Sequence, residues 1–157
     1  MPKIKTHLWY DQQAEEAANF YTSLFEDSRV TDVITYENAG PEGQTVKIVT
    51  FELMGQEYIA LDGGPEFRFN ESFSLYVECD SAEEVDHYWN KLIEGGGEES
   101  YCGWLKDRFG MSWQVVPRIL DELLQDPDPA KADRVMQAML KMRKIEVQGL
   151  LDAANAA

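Results

Sequence analysis

Two cysteines and two histidines are all that this chain of 157 residues holds of the side chains that most often grip metals or attack substrates. Cys79 and Cys102 are too few for a disulfide framework and lack the close spacing of a zinc or redox pair, so both read as packing residues. With only His7 and His87 as imidazole bases, no Ser- or Cys-centred triad stands out. Cations are scarce as well. Fourteen Lys and Arg against 29 Asp and Glu leave a formal charge of −15, which repels nucleic-acid phosphates and anionic membrane surfaces. Neither is therefore an expected partner. No apolar run nears the roughly 20 residues that span a bilayer, and no basic stretch leads into a long apolar segment at the start. The expected location is the cytoplasm.

What the chain does have is apolar material: 44% hydrophobic residues, with seven Phe, seven Tyr and four Trp, enough for the core of one ordinary domain. It also has an internal repeat. Residues 14–25 read AEEAANFYTSLF and residues 82–93 read AEEVDHYWNKLI, an offset of 68 from Ala14 to Ala82. Apolar positions recur at helical spacing in both, so each copy predicts an amphipathic helix. Glu15, Glu16, Glu83 and Glu84 sit in first turns, where carboxylates complement the helix dipole, and are helix-start residues rather than catalysts. Asp80 and Ser81 offer caps to the second helix, and Gly95-Gly96-Gly97 stops it.

A strand-like run precedes each helix, at 6–10 and 72–79, the latter alternating Phe73, Leu75, Val77 and Cys79 on one face. Three β-rich runs follow the first helix, near 29–36, 45–53 and 57–62. Two abbreviated ones follow the second, near 99–107 and 111–117. The expected class is α+β, with two tandem βαβββ modules at about 4–62 and 72–117 making one paired domain over 1–117. After Pro117 the pattern turns helical, at 119–124 and 130–142, giving a C-terminal extension over 118–157. Its stripe of Val135, Met136, Met139 and Leu140 suits a dimer contact, a lid, or plain packing on the sheet.

Two such modules, with the segments LWYD at 8–11, AEEAANFY at 14–21, DGGP at 62–65, GWLKD at 103–107 and FGMSWQVVP at 109–117, resemble the PhnB-like branch of the vicinal-oxygen-chelate superfamily. That superfamily includes glyoxalases, bleomycin-resistance proteins and dioxygenases, and sequences of this branch often carry the label 3-demethylubiquinone-9 3-methyltransferase. Arg134, Val135, Met136 and the residues after them look like the branch's C-terminal helix. The resemblance implies mixed sheets curved around an open ligand cavity, a small-molecule ligand and a homodimer.

Metal-dependent members draw ligands from the first and last strands of each module. Counting back from the helices puts Thr6 and Ser74 at the first-strand positions, and Ala60 and Gln114 fall at the last-strand ones. Alanine cannot coordinate, and neutral hydroxyl or amide oxygens are weak ligands, so no metal is expected. A one-residue slip of the first strand would instead bring His7 to the cavity. The methyltransferase label predicts a glycine-rich loop opening a helix. Gly95–Gly97 follow a helix and Gly63-Gly64 precede Pro65, so no cofactor is expected. The candidate ligand-binding residues are His7, Trp9, Asp62, Ser74, Trp104 and Gln114, with no catalytic residue assigned. Lys106, Asp107 and Trp113 are weaker candidates, readable as a surface pair and a core residue. The leading reading is a metal-free binder of a small organic molecule. The alternatives are a divalent-metal-dependent lyase, isomerase or dioxygenase, and an interaction or regulatory module acting through the helical tail.

Overall fold

The computed structural model describes residues 1–156 and divides into two units, Met1–Phe69 and Asn70–Ala157. The first runs β1 (Thr6–Tyr10), α1 (Ala14–Leu24), β2 (Arg29–Tyr36), β3 (Val46–Leu53) and β4 (Gln56–Asp62). Its sheet has the order β1-β4-β3-β2, with β1 parallel to β4 and the other pairs antiparallel. Alternation explains the core. Leu8, Tyr10, Val49, Phe51, Tyr58 and Ala60 project from one face and are buried with Ala14, Ala17, Ala18 and Tyr21 of α1. Three alanines on the helix let it lie close to the strands, and the Tyr10 and Tyr21 hydroxyls share a hydrogen bond at 2.9 Å inside this layer. Phe51 is fully buried, a burial that contributes about 1.5–3 kcal/mol.

The second unit repeats the plan with β5 (Ser74–Cys79), α2 (Ala82–Ile93), β6 (Glu98–Glu99), β7 (Trp104–Lys106) and β8 (Ser112–Pro117), in the order β5-β8-β7-β6. Its later strands are abbreviated as the sequence predicts, but they number three rather than two, because the run near 99–107 breaks at 100–103 into β6 of two residues and β7 of three. α2 buries Val85, Trp89 and Leu92. Ser81 Oγ accepts the Glu84 N–H at 3.2 Å while Glu84 Oε1 accepts the Asp80 N–H at 2.6 Å, so serine and glutamate close the helix start reciprocally. His87 lies on the exposed side of α2, as its place in the helical pattern implies.

The tail holds three helices, α3 (Arg118–Leu124), α4 (Pro129–Met139) and α5 (Val147–Asn155), one more than the sequence pattern yields. α5 escapes periodicity because it spans only nine residues with Gly149 in its interior. Tertiary packing holds it: Leu150 and Ala154 join Val116, Leu120, Val135 and Ile145 in one buried cluster, with Met139 and Met142 against it. Arg134 donates from Nε to the Ala153 carbonyl and from Nη2 to that of Ala154, satisfying the last turn of α5. The apolar stripe of α4 is thus turned largely toward this packing within the second unit.

The repeat is not uniform. The helices are offset by 68, but three residues join β1 to α1 and only two join β5 to α2. The helix-facing ends of the strands, Tyr10 and Cys79, are therefore 69 apart. One extra residue ahead of α1 flips every side chain of β1 relative to the helix-based alignment.

Candidate functional site

That extra residue corrects the inherited ligand positions. Thr6 and Ala60 lie on the α1 face, Thr6 in step with Leu8 and Tyr10, and Ala60 fully buried. The face turned away from α1 carries His7 and Trp9 of β1 with Ile59 and Leu61 of β4. His7 stands beside Ile59, and Thr50 beside Ile59 on the other flank. In the second unit no such shift occurs. Ser74 and Gln114 share the face turned away from α2, and Gln114 Nε2 donates to Ser74 Oγ at 3.1 Å.

Asp62 does not face ligand space. It is buried on the helix side, where Oδ1 accepts the Ala14 N–H at 2.9 Å and Oδ2 accepts the Lys47 N–H at 3.2 Å. Gln13 at the N-cap makes no side-chain cap, so a carboxylate from 48 residues away opens α1 instead. The neighbouring glycines complete a clasp: the Gly63 N–H donates to the Tyr10 carbonyl and that of Gly64 to Asp11. The Trp9 indole lies against Gly63, where an added Cβ would come within 2.2 Å of the ring, and Trp9 Nε1 donates to the Gly64 carbonyl at 2.9 Å. Phe67 meets the same indole edge-on at 4.9 Å. Trp9 is therefore on the open face but held in place by its own module. The LWYD and DGGP segments are the two halves of this clasp.

Asp107 also has a structural part, in the second unit. It is buried, accepts the Trp113 indole N–H at 2.9 Å and the backbone N–H groups of Phe109 and Met111, and so shapes the turn into β8. Trp113 itself is core, on the α2 side. Neither residue is available to a ligand.

Across the open face of the second sheet the register places Tyr76, Gln114 and Trp104 in one row, and Ser74, Ser112 and Lys106 in the next. Tyr76 is pushed above the ordinary phenol range, first by partial burial and then by the charges of Asp121 and Glu78, so it remains a neutral donor at neutral pH. Lys106 pairs with Glu71, and that hydrogen bond holds the Glu71 carboxyl below its usual range. A cleft of about 520 Å³ is lined by Trp104, Lys106 and Ser112 together with Glu98 and Tyr101. Ser112, which the sequence reading passed over, is 1% exposed, and its hydroxyl has no hydrogen-bond partner. A small residue alternating with Trp113 in a strand was the only signal for it.

Neither sheet gathers these residues into a strong set of metal ligands. Along the first sheet His7 has Ile59 beside it and Thr50 one strand further on. Along the second, Tyr76 has Gln114 and Trp104. A lone imidazole on one sheet, and a phenol with an amide on the other, are each a poor donor set for a divalent ion. Among the described residues no three His, Cys, Asp or Glu side chains gather as a metal site. A methyl-donor cofactor fits no better at the helix starts, because Asp62 occupies that of α1 and Ser81 with Glu84 that of α2. Among the described residues no helix is long and apolar enough to cross a membrane.

The family model described as 3-demethylubiquinone-9 3-methyltransferase matches residues 2–116, which leaves α3 to α5 outside the match. Among solved structures, a PhnB protein from Bacillus cereus described under the same methyltransferase name is 36% identical, with a TM-score of 0.66. It covers 74% of this chain and 99% of its own. A Pseudomonas aeruginosa protein is 19% identical with a TM-score of 0.61, covering 74% and 98%. The fosfomycin resistance protein FosX from Listeria monocytogenes is 14% identical with a TM-score of 0.56, covering 80% and 98%, and shares the fold. No curated protein matches the chain. Two βαβββ modules, the clasp built from LWYD and DGGP, and this match over both modules place the chain in the 3-demethylubiquinone-9 3-methyltransferase family, in the PhnB-like branch of the vicinal-oxygen-chelate superfamily.

Proposed function

We propose that the chain binds a small organic molecule on the open face of its second module, without a metal ion, and works as a homodimer. The row of Tyr76, Gln114 and Trp104 beside a cleft of about 520 Å³ carries this reading. It combines aromatic surface with a few placed polar groups, the usual make-up of a small-molecule site. Gln114 leans on Ser74 rather than on a charged partner, which leaves its carbonyl oxygen to orient a ligand. Methyl transfer forms no part of the proposal, because the starts of α1 and α2, the helices that follow a first strand, are already occupied by side chains of the chain. The reading through the helical tail is disfavoured by the burial of Val135 and Leu150 in the second unit's own cluster.

The test begins with purified protein equilibrated in turn with nickel, zinc, iron and manganese, then desalted and assayed for bound metal. Less than one ion per ten chains is the expected result, on the order set by so weak a donor set. One ion per chain that disappears in Gln114→Ala or His7→Ala would overturn the metal-free reading in favour of a metal-dependent lyase, isomerase or dioxygenase. Native mass spectrometry of the same preparation reads the co-purifying molecule and the dimer together.

A further inference from the structure

The cleft beside Trp104 is acidic where its residues face solvent. Glu71, Glu98 and Glu99 border it against one ammonium, that of Lys106. Glu71 is paired with Lys106, and Glu99 accepts the Trp89 indole N–H at 2.9 Å. Glu98 lies opposite Lys106 in the β6–β7 ladder but makes no ion pair with it. Ser112 also lines the cleft, and its hydroxyl is buried and has no hydrogen-bond partner. A buried polar atom left in this state costs about 1–3 kcal/mol unless a ligand or water completes it.

The geometry points to a small organic cation as the occupant: a protonated amine carrying a planar group. This rests on the reading of the second module as a small-molecule site and names its ligand class. Ser112 Oγ accepts an ammonium N–H, and Glu98 supplies the counter-charge. Trp104 and Tyr101 line the cleft with aromatic surface, and the Tyr101 ring holds a cation in the structure, with the Arg143 guanidinium 4.6 Å from its centroid. A carboxylate ligand could accept the Ser112 O–H, but it would sit beside Glu98 and find the Lys106 ammonium already paired with Glu71. A quaternary ammonium would leave Ser112 without a donor. The chain's formal charge of −15 adds a long-range field that draws cations toward every such opening.

Titration of the full-length protein with tryptamine and with indole-3-propionate, at low ionic strength, separates the possibilities by calorimetry. Tryptamine is expected to bind and the propionate not. Ser112→Ala should weaken tryptamine about tenfold, as loss of a hydrogen bond to a charged group implies. Glu98→Gln should weaken it about threefold, in the range of a solvent-screened pair. Lys106→Met should tighten it by removing the competing ammonium, and Glu122→Gln on α3 should leave it unchanged. Equal or better binding of the propionate overturns the charge class while leaving a small-molecule site standing. Tryptamine binding indifferent to Ser112→Ala and Glu98→Gln puts the amine elsewhere on an acidic surface and overturns the assignment. If neither probe binds, the assignment also fails, while the co-purifying molecule read by native mass spectrometry still judges the broader reading.

Discussion

Asp62→Ala tests whether a residue that looks like part of a ligand site is holding a helix. The carboxylate is 6% exposed and accepts two backbone N–H groups, one at the start of α1 and one at Lys47 in β3. Loss of the helix cap costs about 0.5–2 kcal/mol. The Lys47 N–H, left without its acceptor, adds about 1–3 kcal/mol. The two together predict a loss of about 2–4 kcal/mol, since the bonds share one side chain and do not sum fully. Asp62→Asn keeps one amide oxygen as an acceptor and should lose about half as much. Urea unfolding followed by tryptophan fluorescence and circular dichroism gives the free energies, and amide exchange shows whether the first turn of α1 is the part that opens. A loss below about 0.5 kcal/mol in Asp62→Ala, the level of a neutral surface change, would refute the capping role and return Asp62 to the ligand candidates.

Gly63→Ala should disturb the same clasp differently, since its Cβ would fall 2.2 Å from the Trp9 ring; a loss of about 1–3 kcal/mol and a shifted tryptophan emission spectrum are expected. Ile145→Ala removes a 1% exposed side chain packed over Gly103, and should cost about 2–5 kcal/mol and speed proteolysis within residues 118–157. Burial pushes the Cys79 thiol from its ordinary 9.0 up to about 12, with the carboxylates of Glu84, Asp80 and Glu78 adding to the effect. The unfolded chain therefore releases this proton first, and stability should fall as pH climbs from 9.0 toward about 12. Cys79→Ala should flatten that alkaline slope in urea unfolding measured across this range.

Most of the architecture was legible because each module follows simple periods. Leu75, Val77 and Cys79 alternate, the two AEE helices recur, and the β-rich runs end at glycine turns, so strands and helices fell within a few residues of their places. The open-face residues of the second module were legible for the same reason, Ser74 and Gln114 being counted from the correct helix. In the first module the count failed at one connection. The residue added before α1 leaves no mark in the helix repeat, and only the strand pairing of His7 with Ile59 reveals it. Asp62 misled because its partners, Ala14 and Lys47, are distant in sequence. Ser112 stayed silent because a missing hydrogen bond has no sequence signature. α5 was hidden because packing around Leu150, not propensity, makes it a helix.

The longer connection into α1 also changes how the two modules can be edited. A carboxylate grafted by sequence alignment at Ala60 would place a charge beneath α1, in a site with no exposure, and cost several kcal/mol. The same graft one residue earlier, Ile59→Glu, would stand beside His7 on the open face, where a divalent ion could use both. A loop of one residue therefore decides whether metal chemistry can be written back into the first module or only damages it.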